Sequence, residues 1–162
     1  MKLFHHASHA FVAAIGAFFA IFIIAIASKY LGHGLKINIA IFAPIGASAA
    51  LVFGAPFSAY SQPANVIIGN IIAALSGIIA FKIFGDSAIG FSFAVGAAIL
   101  FMMLLGMMHP PGGGLALLMV ITHHLDIIYV LIAVILSSVL LVLCGIIYHR
   151  LSKHHYPHIH KP

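Results

Sequence analysis

Met108-His109-Pro110-Pro111-Gly112-Gly113-Gly114 interrupts a long run of apolar sequence, and its reading decides the fold. Two prolines remove two backbone N–H donors, and three glycines follow, so no continuous helix is expected through it. The run before it, Ala88–Met108, is long enough to cross a bilayer, which takes about 20 apolar residues. The run after it, Leu115–Thr122, covers only about 12 Å as helix. With Pro110–Gly113 extended at about 3 Å per residue and helix from Gly114 to His124, the segment reaches roughly 29 Å and crosses.

A second interrupted run lies earlier. Ile37–Phe53 carries Pro44 and Gly46, and the same arithmetic makes Ile41–Phe57 a crossing, extended near Pro44 and helical after Gly46. Pro44-Ile45-Gly46-Ala47-Ser48-Ala49-Ala50-Leu51 lies over Pro110-Pro111-Gly112-Gly113-Gly114-Leu115-Ala116-Leu117, with Pro, Gly, Ala and Leu coinciding at four of eight positions. Uninterrupted spans are expected at Ala10–Ala27, at Ala64–Phe84 behind Pro63, and at Ile127–Tyr148. Ala10–Ala27 is long for the apolar region of a signal peptide, about 7–15 residues, and reads as the first membrane helix. Each broken segment is the middle of a three-span half, and an odd number of spans makes such a repeat inverted. Paired Gly/Pro-interrupted segments in corresponding halves point to a transporter's binding site. The expectation is an all-α polytopic transmembrane helix bundle of about six spans. Residues 1–162 form a single transmembrane domain, with short histidine-containing termini at 1–9 and 150–162.

Composition supports a lipid environment. Charged residues are 6% of the chain and apolar residues 64%, where a soluble domain carries about 25% charged residues. The net charge of +5 comes from seven Lys/Arg against two acidic residues, Asp86 and Asp126. These charges are scattered between apolar runs, which excludes nucleic acid and marks them as interfacial anchors. With six spans, Lys2, Arg150, Lys153 and Lys161 share one side and Lys29, Lys36 and Lys82 the other, so both termini are expected in the cytoplasm. Lone Cys144, in an apolar run, excludes an intrachain disulfide. A multi-pass protein of the cell membrane follows, read as the bacterial inner membrane, and so small a bundle is expected to form a homo-oligomer.

The motif Met108–Gly114 resembles the signature of the HPP family of integral membrane proteins. So do Gly46-Ala47-Ser48-Ala49-Ala50-Leu51-Val52-Phe53-Gly54-Ala55-Pro56 and Gln62-Pro63-Ala64-Asn65-Val66-Ile67, which come in the family's order. The resemblance covers roughly 41–120. It implies a four-helix transmembrane protein acting as a transporter; chloroplast and cyanobacterial members are linked to nitrite. The chain departs from the pattern at Ala64, where a basic residue is frequent, at Asn70, where histidine is, and at Gly113 or Gly114, where alanine is.

The candidate site follows from the breaks. A helix restarting inside the membrane presents free N–H groups and a positive dipole end, which bind anions without a cationic side chain. Gly46-Ala47-Ser48 and Gly112-Gly113-Gly114, the latter behind Pro110 and Pro111, would supply two such ends around one central cavity; the alternative is that these small residues serve close helix packing. His109 is the only ionisable side chain between Ser87 and Thr122, so it is a candidate hydrogen-bond donor or proton carrier. Its alternative role is to hold the carbonyls freed by the break. Gln62, Asn65 and Asn70 complete the set, with helix capping the alternative for the first two. Ser76, Ser92, Ser137 and Ser138 are expected to bond to their own helices. No acidic residue lies in a span, which disfavours cation transport. A small inorganic anion is therefore the expected substrate, nitrite the candidate, with no cofactor, no metal at the site and no enzymatic activity. A neutral-solute or water pore is the alternative. Metal handling by His5, His9, His123, His124, His149, His154, His155, His158 and His160 is another, but these histidines read better as a weak surface chelator or a headgroup-facing tail, with Lys153–Pro162 outside the bundle.

Overall fold

The computed structural model describes residues 2–32, 42–123 and 126–158, with side chains for 10–30, 43–123 and 126–158. Residues 33–36, the start of the Ile37–Phe53 run, His124 and His160 lie outside the described residues, as do the side chains of His5 and His9; of the loop expected over Lys29–Lys36, the described part, Lys29–Gly32, is helix instead. Six α-helices follow one another among the described residues: α1 (Lys2–Gly32), α2 (Phe42–Gly54), α3 (Pro63–Phe84), α4 (Ala88–Leu104), α5 (Pro111–Ile121) and α6 (Ile127–Leu151). There is no strand among the described residues.

Local sequence explains most helix ends. Pro63 occupies the first turn of α3, where its missing N–H costs nothing. Gly85 ends that helix at φ 63°, returning its N–H to the Phe81 carbonyl. Ser87 caps α4 by accepting from the Gly90 N–H at 3.1 Å, and Asp126 caps α6 by accepting from Tyr129 at 3.1 Å. α4 stops at Leu104, not Met108 as expected. Gly106 takes φ 67°, so the Met107 N–H reaches the Met102 carbonyl at 2.8 Å and the Gly106 N–H reaches Met103 at 3.1 Å. Glycine is the residue that enters this left-handed turn without a Cβ clash.

The broken segments differ from their expected form. Pro44 lies inside the first turn of α2, which is already helical at Phe42. Pro110 has helical backbone angles, and α5 begins at Pro111 rather than Gly114. Proline fixes φ near the helical value and is harmless where no N–H is needed. The non-helical piece is therefore Met107–His109, ahead of the prolines.

Helix length separates two classes. α1, α3 and α6 contain segments long and apolar enough to cross a membrane. α2, with 13 residues, is about 20 Å long, and α5, with 11, about 16 Å. α4, with 17 residues, falls between them.

One buried cluster joins α3, α4, α5 and α6 through Ala73, Ile78, Ala98, Met102, Ala116, Met119, Val130 and Val134. A second joins α1, α2 and α6 through Ala20, Ile24, Ile45, Val52 and Leu141. The principal packed pairs are α1 with α2 and α6, α2 with α5 and α6, α3 with α4, α5 and α6, and α4 with α5. Apart from such contacts α1 turns Phe11, Phe18, Phe19 and Phe22 outward, a surface suited to lipid.

α3 and α5 approach closely at Gly77. A Cβ there would overlap the Ala116 carbonyl oxygen and lie 2.7 Å from Met119 Cβ. Gly77→Ala is predicted to destabilise the fold by about 1–3 kcal/mol through overpacking. Gly96→Ala, whose Cβ meets nothing within 4 Å, should match wild type, with far-UV circular dichroism melts in detergent as the comparison.

Candidate functional site

Ser48 and His109 meet in the middle of the bundle, and both are completely buried, at 0% exposure. Ser48 Oγ lies 2.8 Å from His109 Nε2, and His109 Nδ1 lies 2.8 Å from the Tyr60 carbonyl oxygen. A carbonyl only accepts, so Nδ1 carries a proton. In neutral imidazole Nε2 is then the acceptor, and the Ser48 hydroxyl donates to it. Ser48 Oγ also lies 3.1 Å from the Pro44 carbonyl oxygen. If His109 gains a proton, Nε2–H donates to Oγ and the hydroxyl turns to Pro44. Both protonation states are satisfied without moving a heavy atom.

The helices run away from this pair toward opposite ends. α2 ends beside the end of α6, where the Phe53 and Tyr148 rings are 5.1 Å apart and the Val52 carbonyl accepts from His149 Nε2 at 2.8 Å. α5 ends beside the end of α3, where the rings of Phe81 and His123 stack at 4.9 Å. His123 also reaches Asp86 at 3.1 Å there, an exposed and weak ion pair.

The non-helical piece before α5 has its own supports. Asn65 Nδ2 donates to the Met108 carbonyl at 3.0 Å. Gly69 brings this segment onto α3: a Cβ there would lie 2.6 Å from His109 Cβ and 2.9 Å from the Met107 carbonyl oxygen. At the start of α5 the Gly112 N–H is taken by the His109 carbonyl at 2.9 Å and the Gly113 N–H by Pro110 at 3.0 Å. The backbone N–H groups expected to await an anion are thus engaged in this conformation. Gly46, Ala47, Pro110 and Gly114 are exposed, Pro111 and Gly113 half-buried, and Gly112 buried.

Other polar residues sort differently. Gln62 makes no cap with its side chain; its amide donates to the Pro56 and Ser58 carbonyls at 2.9 and 2.8 Å and so ties the α2–α3 loop. Asn70, fully buried, donates to Ser138 Oγ across α3 and α6 at 3.2 Å, while its Oδ1 has no partner. Ser138 therefore bonds between helices, contrary to expectation, whereas Ser137 bonds to its own helix at Ala133.

The C-terminal segment also corrects the sequence reading. It does not lie outside the bundle: Tyr156 is buried and its hydroxyl donates to the Ser61 carbonyl at 2.8 Å. Sequence reasoning missed the Tyr60 carbonyl, since backbone carries no residue signature, and it missed Tyr156, the one aromatic in a polar tail. Among the described residues no group of three or more His, Cys, Asp or Glu is arranged to hold a metal ion.

The Ser48–His109 distance suits a nucleophile and its base. With no exposed surface on either residue, no substrate carbonyl reaches Oγ in this conformation.

A helical bundle with three long apolar spans and two half-helices meeting at a buried polar pair defines a polytopic membrane protein. The family model for the HPP transmembrane region matches residues 3–157, and the chain belongs to that family. Comparison with curated proteins and with solved structures gives no match.

Ser48→Ala leaves the buried His109 Nε2 without a donor, a loss of about 1–3 kcal/mol. His109→Asn keeps an amide near the Nδ1 position for Tyr60 and is expected to cost less than His109→Ala. Thermal melts of the purified variants check both orderings.

Proposed function

We propose that the protein carries a small inorganic anion across the cell membrane, with nitrite the candidate, together with a proton on His109. The Ser48–His109 pair at the junction of the half-helices is the observation that carries this reading. Its network accepts a proton without rearranging heavy atoms. A buried imidazolium without a counter-charge is costly. The only acids are Asp86 and Asp126, and both are exposed turn residues. An entering anion would supply the missing charge, so anion and proton would bind together and cross as a neutral pair. The positive end of the α5 dipole adds to this preference.

The packing map supports an inverted repeat. Exchanging α1, α2 and α3 with α4, α5 and α6 returns the same set of principal packed pairs. In this reading the two halves rock about the central pair. The protein would be a homo-oligomer in the bacterial inner membrane, with both termini cytoplasmic and Gly46–Ser48 and His109–Gly114 lining the path. A neutral-solute pore is favoured by one observation, the engaged N–H groups of Gly112 and Gly113.

Liposome flux of nitrite, nitrate, formate, chloride and water separates the two. Anion uptake that rises as pH falls, and that loses this dependence in His109→Gln, supports the carrier. Water flux without anion flux, or an unchanged pH profile in the folded variant, overturns it. Gly113→Ala has room for its Cβ, so it should fold normally, and a severalfold loss of flux would place substrate beside α5.

A further inference from the structure

Two consecutive backbone carbonyls, those of Tyr60 and Ser61, are left over where the α2–α3 loop enters α3. Ala59–Ser61 form one turn of 3₁₀ helix, and Pro63 follows in the first turn of α3. Were the 3₁₀ turn to continue, the Tyr60 carbonyl would accept from the residue three places on. That residue is Pro63, which has no N–H. Gln62 is extended, at φ −69° and ψ 149°, and turns the chain away before the Ser61 carbonyl meets the N–H groups of α3. Among the described residues no backbone N–H reaches either carbonyl. A carbonyl withdrawn from water needs a partner, and both find one on a distant side chain. His109 Nδ1 takes the first at 2.8 Å, and the Tyr156 hydroxyl takes the second at 2.8 Å.

The loop's own bonds shape it but do not place it. Ser61 Oγ lies within 3.3 Å of the Ala55, Pro56 and Ser58 carbonyl oxygens, and the Gln62 amide donates to Pro56 and Ser58. All of these stay within residues 55–62. Ala59 and Tyr60 turn their side chains outward and add little packing. The tail supplies a firmer hold. After α6 the chain turns back through Lys153, at φ 57°, and buries Tyr156 in the cluster formed by Val52 of α2, Val66 of α3 and Leu141 of α6. The Tyr156 ring lies 5.0 Å from that of His149. Burial pushes its phenol well above the usual range, so it stays a donor. The His158 N–H adds a second bond, to Gln62 Oε1 at 2.7 Å. The tail is therefore anchored on three helices and grips the residues next to Tyr60.

Neutral His109 has two tautomers, and its two partners treat them differently. With the proton on Nδ1, the ring donates to Tyr60 and its Nε2 lone pair meets the Ser48 hydroxyl. With the proton on Nε2, the ring donates to Ser48 Oγ, whose hydroxyl turns to the Pro44 carbonyl at 3.1 Å. Ser48 thus serves both tautomers. On the other side of the ring, a bare Nδ1 would face the Tyr60 oxygen, acceptor against acceptor. The Tyr60 carbonyl alone discriminates. Its placement decides which nitrogen of the buried imidazole is open to a proton.

We propose that Tyr156 is a positioning residue for His109: by holding the Ser61 carbonyl it fixes the neighbouring Tyr60 carbonyl, which keeps the proton on Nδ1 and leaves Nε2, beside Ser48, as the atom that accepts another. The His158 N–H assists through Gln62. A residue of the C-terminal tail thereby sets the state of a side chain in the middle of the bundle without touching it. The consequence for transport rests on the carrier reading above; the tautomer does not.

Nitrogen-15 NMR of the histidine-labelled full chain in lipid nanodiscs reads the tautomer at about pH 8, above the imidazole range. The His109 ring signals are identified by their loss in His109→Gln. Wild type should show a protonated Nδ1 and a bare Nε2. Tyr156→Phe keeps the ring and removes the hydroxyl, so the ratio of the Nδ1–H to the Nε2–H tautomer should fall roughly fivefold, the worth of one neutral hydrogen bond. His158→Pro removes the N–H given to Gln62 and should move the ratio the same way by less. A contact that only stabilised the fold would lower the melting temperature and leave the ratio alone. Wild-type His109 protonated on Nε2 overturns the proposal, as does an unchanged ratio in folded Tyr156→Phe. Should that variant not fold, an unchanged ratio in His158→Pro overturns it instead. In liposomes, Tyr156→Phe should carry nitrite severalfold more slowly than wild type. A wild-type rate with a shifted tautomer overturns the link to transport. Absence of any anion flux in wild type refutes the carrier and leaves Tyr156 judged by the tautomer.

Discussion

Backbone that leaves a helix inside a membrane has no water to satisfy its N–H and C=O groups, and the whole bundle is arranged around meeting that requirement between Leu104 and Pro111. The accounting is local. Met107 N–H returns to Met102, the Met108 carbonyl takes Asn65, the His109 carbonyl takes Gly112, and the Pro110 carbonyl takes Gly113. Gly106 supplies the turn and Gly69 the clearance. What remains is one imidazole, held between a serine hydroxyl and a backbone carbonyl.

That imidazole gives the interior its chemistry. A carboxylate beside it would fix its charge; here the partners are one carbonyl and a hydroxyl that can itself turn to a second carbonyl, which serve either protonation state. The low dielectric around it makes any net charge expensive. In the proposed carrier, a proton and an anion would bind together, since each lowers the cost of burying the other. The same features leave the resting state sealed, with Ser48 and His109 out of contact with solvent. Movement of neighbouring elements must open it, and the Tyr60 loop is the element most directly bound to it.

The two ends of the bundle are unequal. At the Asp86 end, acid and imidazole pair on the surface. At the other end, histidines, Arg150 and Lys153 gather without an acid, and the tail closes over the α2–α3 loop by hydrogen bonds and ring packing rather than by ion pairs.

Sequence alone determined the solvent and the element types: apolar runs of bilayer length, a shortage of charge, and the Pro/Gly breaks at Pro44 and Pro110 are local properties. It also marked Ser48, His109 and Asn65, since polar groups within apolar runs are conspicuous. It misplaced the extended piece, because proline's fixed φ is compatible with both a break and a first helical turn, and only the packing of Met107–His109 on Gly69 selects the latter. It left the tail outside, because a docked histidine and a solvated one have the same composition. The Tyr60 carbonyl, the Asn70–Ser138 bond and the Ser61 contact with Tyr156 were decided by tertiary structure alone, for they join positions 49, 68 and 95 residues apart. Periodicity and spacing carry information over a few turns of helix; which distant backbone atom completes a buried side chain is fixed only when the helices pack.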